Sequence, residues 1–125
     1  MGPIGIVLVD NHAGLARIAR RFIQQDQELA VLGTTPNTDV LDFVVQRQPE
    51  VVVMDLDISD PSVLDTIALL RLHLPQLHII ALTLFDLESY RQAALDAGAD
   101  AFVTKETLYA DLVPCIRRIA RAVEC

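Results

Sequence analysis

Lysine is nearly missing from this chain: of ten basic residues only Lys105 is a lysine, and the other nine are arginines. Acids outnumber bases and leave a net charge of −7, which excludes a surface that grips phosphate backbones by bulk electrostatics. Cysteine is scarce too. Cys115 and Cys125 fit no zinc spacing and make no disulfide framework, so reduced thiols are expected. Long hydrophobic runs are absent although 52% of the residues are hydrophobic. The apolar runs are strand-length, far below the roughly eighteen residues of a membrane span. The opening GIVLV lacks a basic flank and a cleavage site, so no signal peptide is read there. With no repeats and no linker, 125 residues make one domain with its own core. The expectation is a cytoplasmic globular domain that by itself binds neither nucleic acid nor membrane.

What is present is alternation. Apolar runs at 5–9, 28–35, 51–54, 77–82 and 101–103 read as strands, separated by segments of helical period. The helix over 13–25 carries Leu15, Ile18, Ala19, Phe22 and Ile23 inward, and that over 38–47 carries Val40, Leu41, Val44 and Val45. Pro49 ends the second helix. The spacing of Ser62 and Asp65 predicts a capping box for the helix over 62–73, and Gly98 stops the one over 86–97. Pro114 predicts a late start for the last helix, near Ala110 or Asp111, with the proline in its first turn. Arg117, Arg118 and Arg121 read as a solvated face complementing that helix's C-terminal dipole. Five such units form an α/β fold, a doubly wound parallel sheet in a three-layer sandwich. Ligands then bind beyond the carboxyl ends of the strands.

The residues at those ends carry the chemistry. The first strand ends in Asp10-Asn11, the third in Asp55 with Asp57 just beyond, the fourth in Thr83 and the fifth in Thr104-Lys105. In VVVMDLDISD three carboxylates, Asp55, Asp57 and Asp60, crowd together and need compensation. Mg²⁺ suits such a hard oxygen site, with one or two carboxylates plus waters and a phosphate. A carboxylate can also attack phosphorus, while a cation and a lysine ammonium stabilise the equatorial oxygens. As the sole lysine, Lys105 brings a compact ammonium where every other basic position has a guanidinium. His12, His73 and His78 share no ligand spacing and are assigned no chemistry.

IVLVDN (6–11), VVVMDLD (51–57), IIALT (79–83) and AGADAFVTK (97–105), in this order and each closing a strand, resemble the receiver domain of two-component response regulators. The likeness covers essentially the whole chain. It implies a flavodoxin-like strand order of 2-1-3-4-5. It implies Asp55 as phosphoacceptor, Asp10 and Asn11 as the acidic pair at Mg²⁺, and Asp57 as a backbone carbonyl ligand. Thr83 takes the place of the switch hydroxyl, Lys105 that of the phosphoryl-contacting lysine, and Phe102 that of the switch aromatic. Asn11 read alone equally caps the first helix, and Phe102 read alone is core. His12 and the Glu106 that follows Lys105 resemble the subfamily with a LuxR-type helix-turn-helix output. The implied partners are a sensor histidine kinase, an output domain or effector, and a second copy in a homodimer, with the chain as the N-terminal part of a longer regulator. Enzymatic turnover is not implied beyond self-phosphorylation from a donor and slow autodephosphorylation.

Departures from the family pattern sit around the same site. Asn11 replaces an acid, which lowers the expected Mg²⁺ affinity, and the Asp57 side chain is expected to restore part of the charge. Ile58-Ser59 replaces a Met-Pro pair, Val63 stands where a glycine is usual, and Leu84 where a small residue is usual. Leu84 is expected to narrow the approach to the phosphoryl group. Two alternatives stay open on sequence. One is a degenerate receiver working as an unphosphorylated binding module. The other is a haloacid-dehalogenase-like phosphatase, since DLDIS (55–59) resembles that family's nucleophile motif.

Overall fold

A computed structural model describes residues 2–10, 14–56 and 60–121. The chain runs β1 (Ile4–Asp10), α1 (Leu15–Gln24), β2 (Leu29–Pro36), α2 (Val40–Arg47), β3 (Val51–Asp55), α3 (Ser62–His73), β4 (His78–Thr83), α4 (Glu88–Ala97), β5 (Ala101–Thr104) and α5 (Lys105–Arg121). The five strands form one parallel sheet in the order β2-β1-β3-β4-β5, as the resemblance implied. The near-continuous apolar runs at β1, β3 and β4 are what a sheet covered on both faces requires. Strand alternation divides the core in two. Ile6, Leu8, Val53 and Leu82 meet α1 and α5 on one face, while Val7, Val9, Met54 and Ala81 meet α2, α3 and α4 on the other. No helix among the described residues is long and apolar enough to cross a membrane.

Five local expectations need correction. In α1 the buried stripe is Leu15, Ala16, Ala19 and Ile23, and Ile18 lies on the solvent side of it. In α2 Val40 and Val44 point inward, which rotates Val45 out to 52% exposure. Ser62 does not cap α3. Asp60 does so instead: its Oδ1 accepts the Ser62 backbone N–H at 3.0 Å and the Ser62 hydroxyl at 2.5 Å. Pro61 between them has helical angles, the arrangement expected for proline at a first helical position.

The largest correction concerns α5. The helix begins at Lys105, directly after β5, and carries Pro114 in its interior. Thr104 holds the start, its Oγ1 accepting the Thr107 N–H at 3.4 Å. Leu108, Leu112, Cys115 and Ile116 form one buried stripe on both sides of the proline. Burying Leu108 contributes on the order of 2 kcal/mol, and each main-chain hydrogen bond of the turns before the proline about 1 kcal/mol. That offsets the roughly 3 kcal/mol penalty of an interior proline, which a late start would avoid only by exposing Leu108. Burial also pushes the Cys115 thiol up, with Arg118 partly opposing.

Nor is Arg117 a plain solvated charge. Its guanidinium bridges Asp26 and Glu28 in the turn between α1 and β2, tying α5 to the far end of α1. Arg71 plays the matching part on the other face. It donates to the carbonyls of Gly98, Pro75 and Leu77 and pairs with Asp100, whose Oδ2 also accepts the Ile79 N–H. Gly98 ends α4 at φ 126°, and a side chain there would strike Arg71.

Pro114 is exposed, so Pro114→Ala loses little packing and restores a main-chain donor. Urea unfolding should show a net gain of about 1–2 kcal/mol, after subtracting the proline's restriction of the unfolded chain. An unchanged or lower midpoint would mean the helix depends on the ring. Separately, the Arg117 guanidinium holds the Asp26 carboxyl below its ordinary 3.8. A carboxyl depressed in the folded state adds stability above the unfolded value and loses it as pH falls through the folded one. Asp26→Asn should therefore melt a few degrees below wild type at pH 7, with the gap closing below pH 3.8. A gap that persists in acid would refute the ion pair's contribution.

Candidate phosphoryl-transfer site

The parallel register brings the strand ends into line. Val9 lies opposite Met54, so Asp10 and Asp55 end neighbouring strands in step. Asp55 lies opposite Leu82, and Thr83 opposite Thr104, the residue before Lys105. Four of the residues singled out in the sequence, Asp10, Asp55, Thr83 and Lys105, thus reach one edge of the sheet. Asp10 and Asp55 share the strand parity of Leu8 and Val53, the face covered by α1 and α5. Thr83 shares the parity of Ala81, towards α3 and α4.

Burial distinguishes the four. Asp55 and Thr83 have no accessible surface, Asp10 is half-buried, and Lys105 is exposed at the first position of α5. The Thr83 hydroxyl accepts the Phe85 backbone N–H at 3.3 Å. Leu84, Phe85 and Leu87 follow, each more than two-fifths exposed. Leu84 stands directly after Thr83 at this edge. Phe102 is half-buried, packed against the α2–α3–α4 core, and lies opposite Ala81. Val63 is fully buried in the first turn of α3, where an inward apolar side chain has a packing reason. Asn11, His12 and Asp57, with Ile58-Ser59, lie outside the described residues.

The donor set can be tested against a metal. Among the described residues no group of three or more His, Cys, Asp or Glu is gathered closely enough to hold an ion. Two hard carboxylates on adjacent strand ends fit Mg²⁺, which takes one or two together with waters and phosphate oxygens. They do not fit a structural zinc site, which wants sulfur and imidazole. Sequence reasoning missed the supporting contacts, Asp60 at the start of α3 and Thr104 with Thr107 at the start of α5. An Asp directly before a proline, and Thr-x-x-Thr across a strand-to-helix junction, were the available signals.

Comparison with known proteins converges on one class. Residues 6–117 match the family described as the response regulator receiver domain. The nitrate/nitrite response regulator protein homolog of Haemophilus influenzae is 29% identical over 93% of this chain and 56% of its own length. The response regulator protein VraR of Staphylococcus epidermidis is 26% identical over 92% of this chain and 56% of its own. Among solved structures, a LuxR-family two-component response regulator from an Aurantimonas species superposes with a TM-score of 0.86 at 26% identity, covering 97% of this chain and 87% of that one. The chain belongs to the response regulator receiver domain family. It spans about half the length of the curated relatives it matches. The phosphatase reading falls with this, since the DLDIS carboxylate ends the third strand of a receiver sheet.

The Thr83–Phe85 hydrogen bond is directly testable. Thr83→Val removes the acceptor while keeping the branched shape. Amide exchange of Phe85 should then accelerate by about tenfold, the factor for a net hydrogen bond of roughly 1.4 kcal/mol. Exchange unchanged at Phe85 would show that the bond does not hold the loop.

Proposed function

We propose that Asp55 is the phosphoacceptor of this receiver domain and that Asp10, Thr83 and Lys105 complete the reacting set. The observation that carries the reading is the convergence of two carboxylates, a hydroxyl and the sole lysine on one edge of the sheet. An Asp55 carboxylate oxygen attacks the phosphorus of a phosphohistidine on a sensor kinase, or of a small acyl phosphate. The new P–O bond forms as the old P–N or P–O bond breaks, and the departing electron pair stays on the imidazole nitrogen or the carboxylate oxygen. The Lys105 ammonium stabilises the phosphoryl oxygens, and the Thr83 hydroxyl donates to one of them in the product. Asp10 and Asp55 would hold Mg²⁺ with the Asp57 carbonyl. When bound, the ion supplies positive charge that offsets the carboxylates and the incoming phosphoryl group.

The phosphoryl group adds about −1.5 to −2 charge beside Thr83 and biases the surface formed by the last helices, with Phe102 moving as the switch aromatic. That surface pairs two copies or releases an output domain. The likeness to a LuxR-family regulator and the greater length of the relatives support a cytoplasmic transcription regulator with a helix-turn-helix output.

Incubation with Mg²⁺ and acetyl phosphate, followed by intact mass measurement, tests the proposal. Wild type should gain one phosphoryl group and Asp55→Asn none. Lys105→Ala should be labelled at least about a hundredfold more slowly, as expected for loss of a transition-state charge contact. No adduct on wild type would favour the unphosphorylated binding module, and an adduct on Asp55→Asn would place the acceptor elsewhere.

A further inference from the structure

No loop separates β5 from α5: Thr104 ends the strand and Lys105 is the first helical residue. The direction in which the Lys105 stem leaves the sheet is therefore set by the junction itself. Register fixes the strand side of it. Asp55 lies opposite Leu82 and Thr83 opposite Thr104, so the Thr104 backbone is held two strands away from the buried carboxylate.

The helix side has no comparable support from packing. Lys105, Glu106 and Thr107 are all exposed, and the buried stripe of α5 begins only at Leu108. Electrostatics oppose this first turn as well. The amino end of a helix carries the positive half of its dipole, and an ammonium at the first position adds charge of the same sign. Glu106 in the same turn offsets part of that. Such a turn frays unless a cap holds it.

Two hydroxyls supply the cap. Thr104, only 7% exposed, accepts the Thr107 N–H at 3.4 Å through its Oγ1. The two hydroxyl oxygens lie 3.1 Å apart, and the Thr107 hydroxyl donates to the Thr104 carbonyl at 3.4 Å. The Thr104 hydroxyl hydrogen is then left for the Thr107 oxygen, which closes a ring of hydrogen bonds around the turn that carries Lys105. Leu108, Leu112 and Ile116 already anchor the rest of α5 in the core, so the ring acts on the first turn and not on the whole helix.

We infer that Thr104 and Thr107 are positioning residues for phosphoryl transfer. Their ring fixes the first turn of α5 and thereby keeps the Lys105 ammonium at the carboxyl edge, within reach of a phosphoryl group on Asp55. A lysine stem is long and flexible, so a fixed root reduces the freedom lost when the ammonium meets the phosphoryl oxygens. The inference rests on the function proposed above and adds to it two residues that do not touch the reacting atoms.

The rate of labelling by acetyl phosphate and Mg²⁺, followed by intact mass, tests it. Thr104→Val keeps the shape, removes the hydroxyl and should be labelled about tenfold more slowly, the factor for a typical lost cap. Thr104→Ser keeps the hydroxyl and should stay within about twofold of wild type. Thr107→Val, at an exposed position that leaves the core untouched, should slow labelling about threefold. The telling comparison is made without the ammonium. In a Lys105→Ala background neither valine substitution should slow labelling further, because a residue that acts through Lys105 has nothing left to position. Equal slowing with and without Lys105 would show a general effect on the fold and overturn the inference. Labelling of both valine variants at the wild-type rate would overturn it too. A wild type that takes up no phosphoryl group would instead remove the function proposed above, and this inference with it.

Discussion

Asp55 closes a strand in which every residue from Val51 onward is sealed from solvent, and a carboxylate in such a place is costly unless other groups answer its charge. An apolar residue there would stabilise the fold without further help. The position therefore makes demands on the chain around it. A second carboxylate, Asp10, ends the neighbouring strand in step with it, which raises the demand for positive charge. Under the proposed function, Lys105 and a divalent cation would meet that demand. Burial makes the site's electrostatics strong, because charges interact more in a low dielectric.

The distribution of basic residues follows the same division between frame and site. Arg71 donates to three backbone carbonyls and one carboxylate at once, joining α3, α4 and the start of β4. Arg117 spans Asp26 and Glu28 and so fixes α5 against the turn after α1. Both tasks use the planar guanidinium fork with its several donors. The lysine is placed elsewhere, at the carboxyl edge, exposed and on the first residue of a helix whose start is held by Thr104. An ammonium on a flexible stem can follow a charge that comes and goes, which a locked guanidinium cannot.

Legibility in the sequence tracked how far each feature depends on local pattern. The strands were plain because β1, β3 and β4 are buried on both faces and read as unbroken apolar runs. The convergence of Asp10, Asp55, Thr83 and Lys105 followed from parallel topology, since the first three close strands and Lys105 follows directly on one. What local pattern could not reveal was set by packing. Pro114 argued for a short last helix, but the stripe from Leu108 to Ile116 outweighs the local preference. Val45 and Ile18 fit the helical period, yet a stripe only wide enough for Val44 or Ala19 leaves them outside. The Arg117 and Arg71 bridges join residues 91 and 29 positions apart, and nothing in a helix-face reading points to their partners.

The Thr83 hydroxyl shows how a fully buried site can be felt at the surface. Its oxygen accepts the Phe85 N–H, and a hydroxyl engaged as acceptor still has its own hydrogen to donate. A phosphoryl oxygen on Asp55 would attract that hydrogen without first breaking the bond to Phe85. Any displacement of Thr83 towards the phosphoryl group then draws the Phe85 backbone with it. Leu84, Phe85 and Leu87 are already half in solvent, so a shift of their backbone changes how much apolar surface is on offer beside α4. At about 25 cal/mol per Å², covering or uncovering one such side chain is comparable to the few kcal/mol that separate two states of a switch. Under the proposed function, a phosphoryl group on Asp55 would in this way reach the exposed side chains of Leu84 and Leu87.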